Sequence, residues 1–156
     1  ADAAIVAWDM KYEYDLWRPI TAIQEADTDG NDDTIADETW TPLLNSPPFP
    51  AYTSGHSTFS SAAAELLASF FGTDAMNFSL TSVGITRNYD SFWEAAEEAG
   101  QSRIYGGIHW QFDNTMGLWA GQNVGAYIFA NYLQVPAPGA VGVLAMGGLL
   151  ATRRRR

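Results

Sequence analysis

Residues 54–72 read Ser54-Gly55-His56-Ser57-Thr58-Phe59-Ser60-Ser61-Ala62-Ala63-Ala64-Glu65-Leu66-Leu67-Ala68-Ser69-Phe70-Phe71-Gly72. From residue 57 to residue 71, Phe59, Ala62, Ala63, Leu66, Leu67 and Phe70 fall at steps of three and four, the period of one helix face. Gly72 is a stop for that helix, and Ser54 or Ser57 can cap its start. The residues that open it carry chemistry. Unpaired backbone N–H groups and the helix dipole favour an anion at such a start. Gly55 lets the backbone approach closely, Ser54 can donate a hydroxyl hydrogen bond, and His56 can give or take a proton near neutral pH.

Working outward, most of the chain has helical period. Residues 1–18 place Ile5, Trp8, Tyr12 and Leu16 at helical spacing, with Pro19 as an end or kink, and residues 20–24 begin a short second helix. Residues 26–56 hold an acidic run and then Pro42, Pro47, Pro48 and Pro50, which predicts a long loop; loops of that length are usually functional. Residues 76–88 alternate weakly, as a small hairpin or an extended loop. Ser91 predicts the cap of a helix over 92–105, with Glu94 in its first turn and Gly106-Gly107 breaking it. Residues 114–133 predict the last main helix, with Met116, Trp119, Ala120, Val124, Tyr127 and Ile128 on one face. The chain therefore divides into a mostly helical body, residues 1–134, and a tail, residues 135–156. The tail joins Val135-Pro136-Ala137-Pro138-Gly139 to an apolar run and ends in four arginines, Arg153 to Arg156. Its apolar run is shorter than the roughly 20 residues a membrane span needs, but a proline hinge, an apolar segment and a basic stop stand in the order of a membrane-processed sorting tail.

Charge narrows the function. The 156-residue chain has a net charge of −10, and without the arginine tail four basic residues face 18 acidic ones. That balance argues against a nucleic-acid surface. With no cysteine, disulfides and thiol chemistry are excluded. The four body cations are Lys11, Arg18, Arg87 and Arg103, and the two histidines are His56 and His109. Lys11 and Arg18 are seven apart, which on a continuous helix puts both on one face about 10.5 Å apart along the axis. Arg103 offers a guanidinium suited to oxyanion contact. Asp113, four residues after His109, would face it on a helix and fix its tautomer, or would serve as a helix cap. Both histidines and three of four body cations thus belong to one candidate pocket for a tetrahedral oxyanion.

Lys11-x6-Arg18-Pro19, Ser54-Gly55-His56 and Ser102-Arg103-x5-His109-x3-Asp113 resemble, in every spacing, the three-block signature of the type-2 phosphatidic acid phosphatase (PAP2) and vanadium haloperoxidase superfamily. The resemblance covers about residues 5–133. It implies an all-α helical bundle of the PAP2/vanadium haloperoxidase type, here lacking the helices that members carry upstream of the lysine motif. It also implies that Lys11, Arg18, Ser54, Gly55 and Arg103 hold the oxygens of vanadate or phosphate. His109 would be bonded to vanadium in a haloperoxidase or attack phosphorus in a phosphatase; His56, with Asp113 behind His109, would complete the catalytic set as the acid/base. The stretches Trp17 to Ile23, Pro47 to Tyr52 and His109 to Asp113 resemble the soluble haloperoxidases, and Trp8 and Phe49 fall where chloroperoxidase-type members place aromatics beside the halide. Thr53 stands where the family usually has proline.

The leading expectation is vanadate-dependent oxidation of halide by hydrogen peroxide, with an organic acceptor. The alternatives are an acid phosphatase acting on a phosphoester, with phosphate as substrate and no cofactor, and a non-catalytic surface-sorted domain. The tail resembles a PEP-CTERM sorting signal, with Pro136-Ala137-Pro138 in place of Pro-Glu-Pro. This implies export in a Gram-negative bacterium, transient membrane anchoring, processing by an exosortase-type enzyme and delivery to the cell surface. Glu25-x-Asp27-x-Asp29-Gly30 resembles the start of a calcium loop, but Ala36 stands where a bidentate Glu is needed, so calcium is not expected.

Overall fold

The computed structural model describes residues 1–133. The tail reading falls outside the described residues. Five α-helices and one β-hairpin follow in the order α1 (Asp2–Tyr14), α2 (Pro19–Gln24), a single 3-10 turn (Ala26–Thr28), α3 (Gly55–Phe71), β1 (Ala75–Ser82), β2 (Ile85–Ser91), α4 (Phe92–Tyr105) and α5 (Gln111–Tyr132). The fold is a helical bundle with a small antiparallel sheet. Among the described residues no helix is long and apolar enough to cross a membrane.

The first helix stops earlier than the sequence spacing suggests. Asp15 takes a left-handed conformation (φ 43°) and its N–H closes on the Lys11 carbonyl. Arg18 cannot continue a helix, because the residue before a proline is driven to extended backbone; it sits at φ −69°, ψ 155°, and Pro19 begins α2. Lys11 and Arg18 therefore do not share a helix face. What unites them is the turn between α1 and α2.

α3 is the hub. It packs on α5, α4 and α1. Its most buried residues are Ser57, Thr58, Ser61 and Ala64, while Phe59 and Phe70 of its apolar stripe are 44% and 55% exposed. The same inversion occurs on α5: Asn114, Gly117, Ala120, Gly121 and Gly125 are buried, and Trp119 is 56% exposed. Close approach explains it. A Cβ on Gly117 would lie 2.9 Å from the Ser54 carbonyl oxygen and from Ser57 Cβ, and one on Gly125 would lie 2.7 Å from the Ala62 carbonyl oxygen. The two helices touch backbone to backbone along a stripe of small residues. This places the start of α3, with His56, against the start of α5, with Asp113.

Ser91 Oγ accepts the Glu94 N–H at 3.0 Å and so caps α4 as its sequence predicts. Residues 76–88 resolve as a hairpin in which Phe78 pairs with Tyr89. Phe78 also meets Phe92, which stacks on Phe71, so aromatic contacts fasten the hairpin to the ends of α3 and α4.

Candidate oxyanion site

Residues 29–54, between the 3-10 turn and α3, are irregular, and their buried carbonyls need donors from outside. The two scarce cations supply them. Lys11 Nζ donates to the carbonyls of Pro50 (3.0 Å), Ala51 (3.0 Å) and Thr53 (2.7 Å). Arg18 Nε donates to the Phe49 carbonyl at 2.9 Å. Its Nη1 donates to the Ile108 carbonyl (2.7 Å) and to His109 Nε2 (3.0 Å). All three Lys11 protons and three of the five Arg18 protons thus hold the loop, Ile108 and His109 in place. Arg18 Nη2 alone keeps both protons: it is buried and makes no hydrogen bond among the described residues.

These contacts fix the tautomer of His109. Because Nε2 accepts from Arg18, the ring proton is on Nδ1, which donates to Asp113 Oδ2 at 2.9 Å. The same Oδ2 accepts the Trp110 N–H at 3.1 Å. Asp113 is thus the third residue of α5, with Trp110 at the cap position, and it both steadies the helix start and orients the ring. His109 itself lies in the bend before α5, so it is the turn, not a shared helix face, that brings the two together.

Trp8, Lys11, Arg18, Phe49, Gly55, His56, Ile108 and His109 line one cavity of about 300 Å³. Both imidazoles open onto it. Trp8 meets the edge of Phe49 with ring centres 4.7 Å apart, and Lys11 and Arg18 lie 5.2 and 5.0 Å from the Phe49 ring centre. The first N–H groups of α3, at Gly55 and His56, have no partner within the helix. Two of the expected ligands, Ser54 and Arg103, are not among the residues that line it. Ser54 is buried, and its hydroxyl accepts the Ser57 N–H at 3.4 Å as a helix cap rather than lining the cavity. Arg103 is not among the lining residues either; its Nε donates to Ser102 Oγ at 3.1 Å, and its charge reaches His56.

Buried positive charge dominates the electrostatics. Lys11 and Arg18 are 2% and 5% exposed. Among the described residues neither makes an ion pair. Burial, and then the Arg18 charge, pull the Lys11 ammonium down to about 8, with the Asp113 carboxylate partly offsetting them. Burial pulls Arg18 down to about 10. Burial also holds His109 below the ordinary histidine value; the Asp113 hydrogen bond opposes this, and the charges of Arg18 and Lys11 add to it. His56 is lowered by burial and by Arg103. Both rings are therefore neutral at pH 7, and the two buried cations face a single buried carboxylate, Asp113.

This geometry has known relatives. A family model described as the vanadium chloroperoxidase second helical-bundle domain matches residues 1–137. The chain belongs to that family. It is 28% identical, over 190 aligned residues, to the vanadium chloroperoxidase of Curvularia inaequalis, covering 83% of this chain and 30% of that protein. Among solved structures it resembles the first bacterial vanadium-dependent iodoperoxidase, with TM-score 0.73 and 38% identity over 83% of this chain and 30% of the other. It shares its fold with a holo-type bacterial vanadium-dependent chloroperoxidase (TM-score 0.66, 21% identity, 80% of this chain and 32% of the other). The chain thus spans about a third of the length of these relatives.

Proposed function

We propose that the cavity holds vanadate and that the chain carries the reaction centre of a vanadium-dependent haloperoxidase, oxidising halide with hydrogen peroxide. The observation that carries this reading is the pair of buried cations without an ion-pair partner among the described residues, with Arg18 Nη1 bonded to His109 Nε2 and Nη2 unpaired. An isolated buried charge is strongly unfavourable, so such a cluster favours a multiply charged anion. The donors suit a four-oxygen guest: two N–H groups on Arg18 Nη2 and the first N–H groups of α3. When bound, vanadate supplies the Lewis acidity that activates peroxide for two-electron oxidation of halide.

The chain's own residues do the rest. Asp113 keeps the His109 proton on Nδ1, which leaves Nε2 as the atom that would hold vanadium. Arg18 Nη1 donates to that nitrogen at 3.0 Å, and its unpaired Nη2 would be the guanidinium nitrogen left to hold an oxygen of the guest. His56, neutral and exposed, is placed to take a proton from peroxide and return it to the departing oxygen. Trp8 and Phe49 form an aromatic wall on which two cations rest, a setting for a weakly hydrated halide. Bromination or iodination of a phenolic acceptor by the purified chain with vanadate, peroxide and halide tests the proposal. Vanadate-dependent turnover supports it. Turnover of a phosphomonoester that vanadate inhibits, without halide oxidation, contradicts it.

A further inference from the structure

A buried polar knot joins α3, α4 and α5. Ser57 Oγ donates to Asn114 Oδ1 at 2.7 Å, and Asn114 Nδ2 donates to Gln101 Oε1 at 3.3 Å. Ser57 is fully buried and Asn114 is 4% exposed. Gly100 lies against both: a Cβ there would sit 2.8 Å from Ser57 Oγ and collide with Asn114 Oδ1. Stability alone would be served as well by apolar residues of similar shape, since a buried hydrogen-bonded pair is nearly neutral against them. The placement of the knot suggests another use. Ser57 follows His56, Asn114 follows Asp113, and Gln101 precedes Ser102-Arg103. The three members are thus chain neighbours of the three blocks that build the oxyanion site.

We infer that Ser57, Asn114 and Gln101, with Gly100 beneath them, are positioning residues that set the distance of His56 from Arg103 and from the His109–Asp113 pair. A hydrogen bond has a narrow length and direction, which apolar packing lacks, so the knot fixes the register of three helices where the catalytic groups leave them. The inference rests on the oxyanion-site reading, but its main readout needs no anion. Lys11, Arg18 and His109 share the cavity with His56, while Arg103 on α4 is the charge that acts on it. Moving α4 outward therefore weakens that influence.

The experiment is an NMR titration of His56 in the wild-type chain and in Gly100→Ala and Ser57→Ala, without vanadate. Gly100→Ala drives a methyl group between α4 and α5 and is expected to raise the His56 midpoint. Ser57→Ala removes the hydroxyl with little change of volume and is expected to raise it less. Vanadate affinity should fall by about tenfold in Gly100→Ala, in the range found when supporting hydrogen bonds behind a bound group are lost. Phe78→Ala, which loosens the hairpin against the first residue of α4 and leaves Gly100, Ser57 and Asn114 untouched, is the control: it should lower the melting temperature without moving His56. If Gly100→Ala does not fold, Ser57→Ala decides. Variants that melt earlier while His56 titrates as in wild type would overturn the inference and leave the knot a purely structural contact. Failure of all variants and of wild type to bind vanadate, with the His56 shift intact, would overturn the proposed function and not this inference.

Discussion

On the α5 side of the cavity His109 is buried, its Nδ1 tied to Asp113 and its Nε2 to Arg18. On the α3 side His56 is exposed and makes no hydrogen bond among the described residues. One imidazole has its tautomer, ring plane and lone-pair direction set by its neighbours. The other has no such partner among the described residues and is open to solvent. The contrast is the one the proposed roles require. A ring that must present one atom to a bound centre needs to be held, whereas a ring that shuttles protons needs access and a pKa near the working range. The fixed side also carries the two buried cations; the open side meets the start of a helix and the more distant Arg103.

Substitutions can break this asymmetry to different extents. His109→Ala removes the held ring and is expected to lower halide oxidation by about 10³-fold or more, a loss of the size seen when a nucleophilic group is deleted. Steady-state bromination or iodination rates measure it. Arg18→Gln removes the unpaired Nη2 and with it two charge-assisted bonds. At roughly 1.5–3 kcal/mol each, vanadate affinity should fall by about 10²-fold or more. The same change leaves the carbonyls of Phe49 and Ile108 short of a donor, so calorimetric melting should also show a loss of about 1–3 kcal/mol. His56→Ala should behave differently: turnover falls by about 10²-fold while vanadate affinity changes little. Equal effects of His56→Ala and His109→Ala on vanadate affinity would erase the distinction between the two sides.

The smallest expected effect is on pH. Lys11 is charged below about 8 and neutral above it. A bound anion favours the charged ammonium, so vanadate and phosphate affinity should decline as pH rises through about 8, and Lys11→Met should flatten that decline. Stability has its own dependence. Both histidines have lowered values in the folded chain, so the unfolded chain takes up their protons first as pH falls below about 6.5. Their contribution to stability is fully present above that pH and is lost towards the folded-state values. Denaturant melts between pH 7 and 5 should show the loss, less steeply in His109→Gln.

Much of the body was legible in the sequence. Ser91 as a cap, the span of α4 and the long irregular loop are set by local chemistry, and the structure keeps them. Membership of the superfamily was legible from three short blocks with fixed spacing. The faces of the helices were not. Apolar periodicity in α3 and α5 picks out Phe59, Phe70 and Trp119, yet the tight interface follows serine, threonine and glycine, because close approach depends on small size rather than on hydrophobicity. Nor could the sequence show that Lys11 serves the carbonyls of Pro50, Ala51 and Thr53, since a loop's unmet hydrogen-bonding needs exist only once it is folded. Pro19 did carry the information that Arg18 leaves the helix; the seven-residue spacing masked it.

The central claim is that a single tetrahedral anion sits between the two histidines. Nitrogen-15 NMR of both rings during a vanadate titration tests it most directly. The account predicts that the His56 and His109 signals shift together, with one midpoint at one vanadate per chain, and that excess phosphate reverses both. Separate midpoints, or a shift confined to one ring, would contradict it.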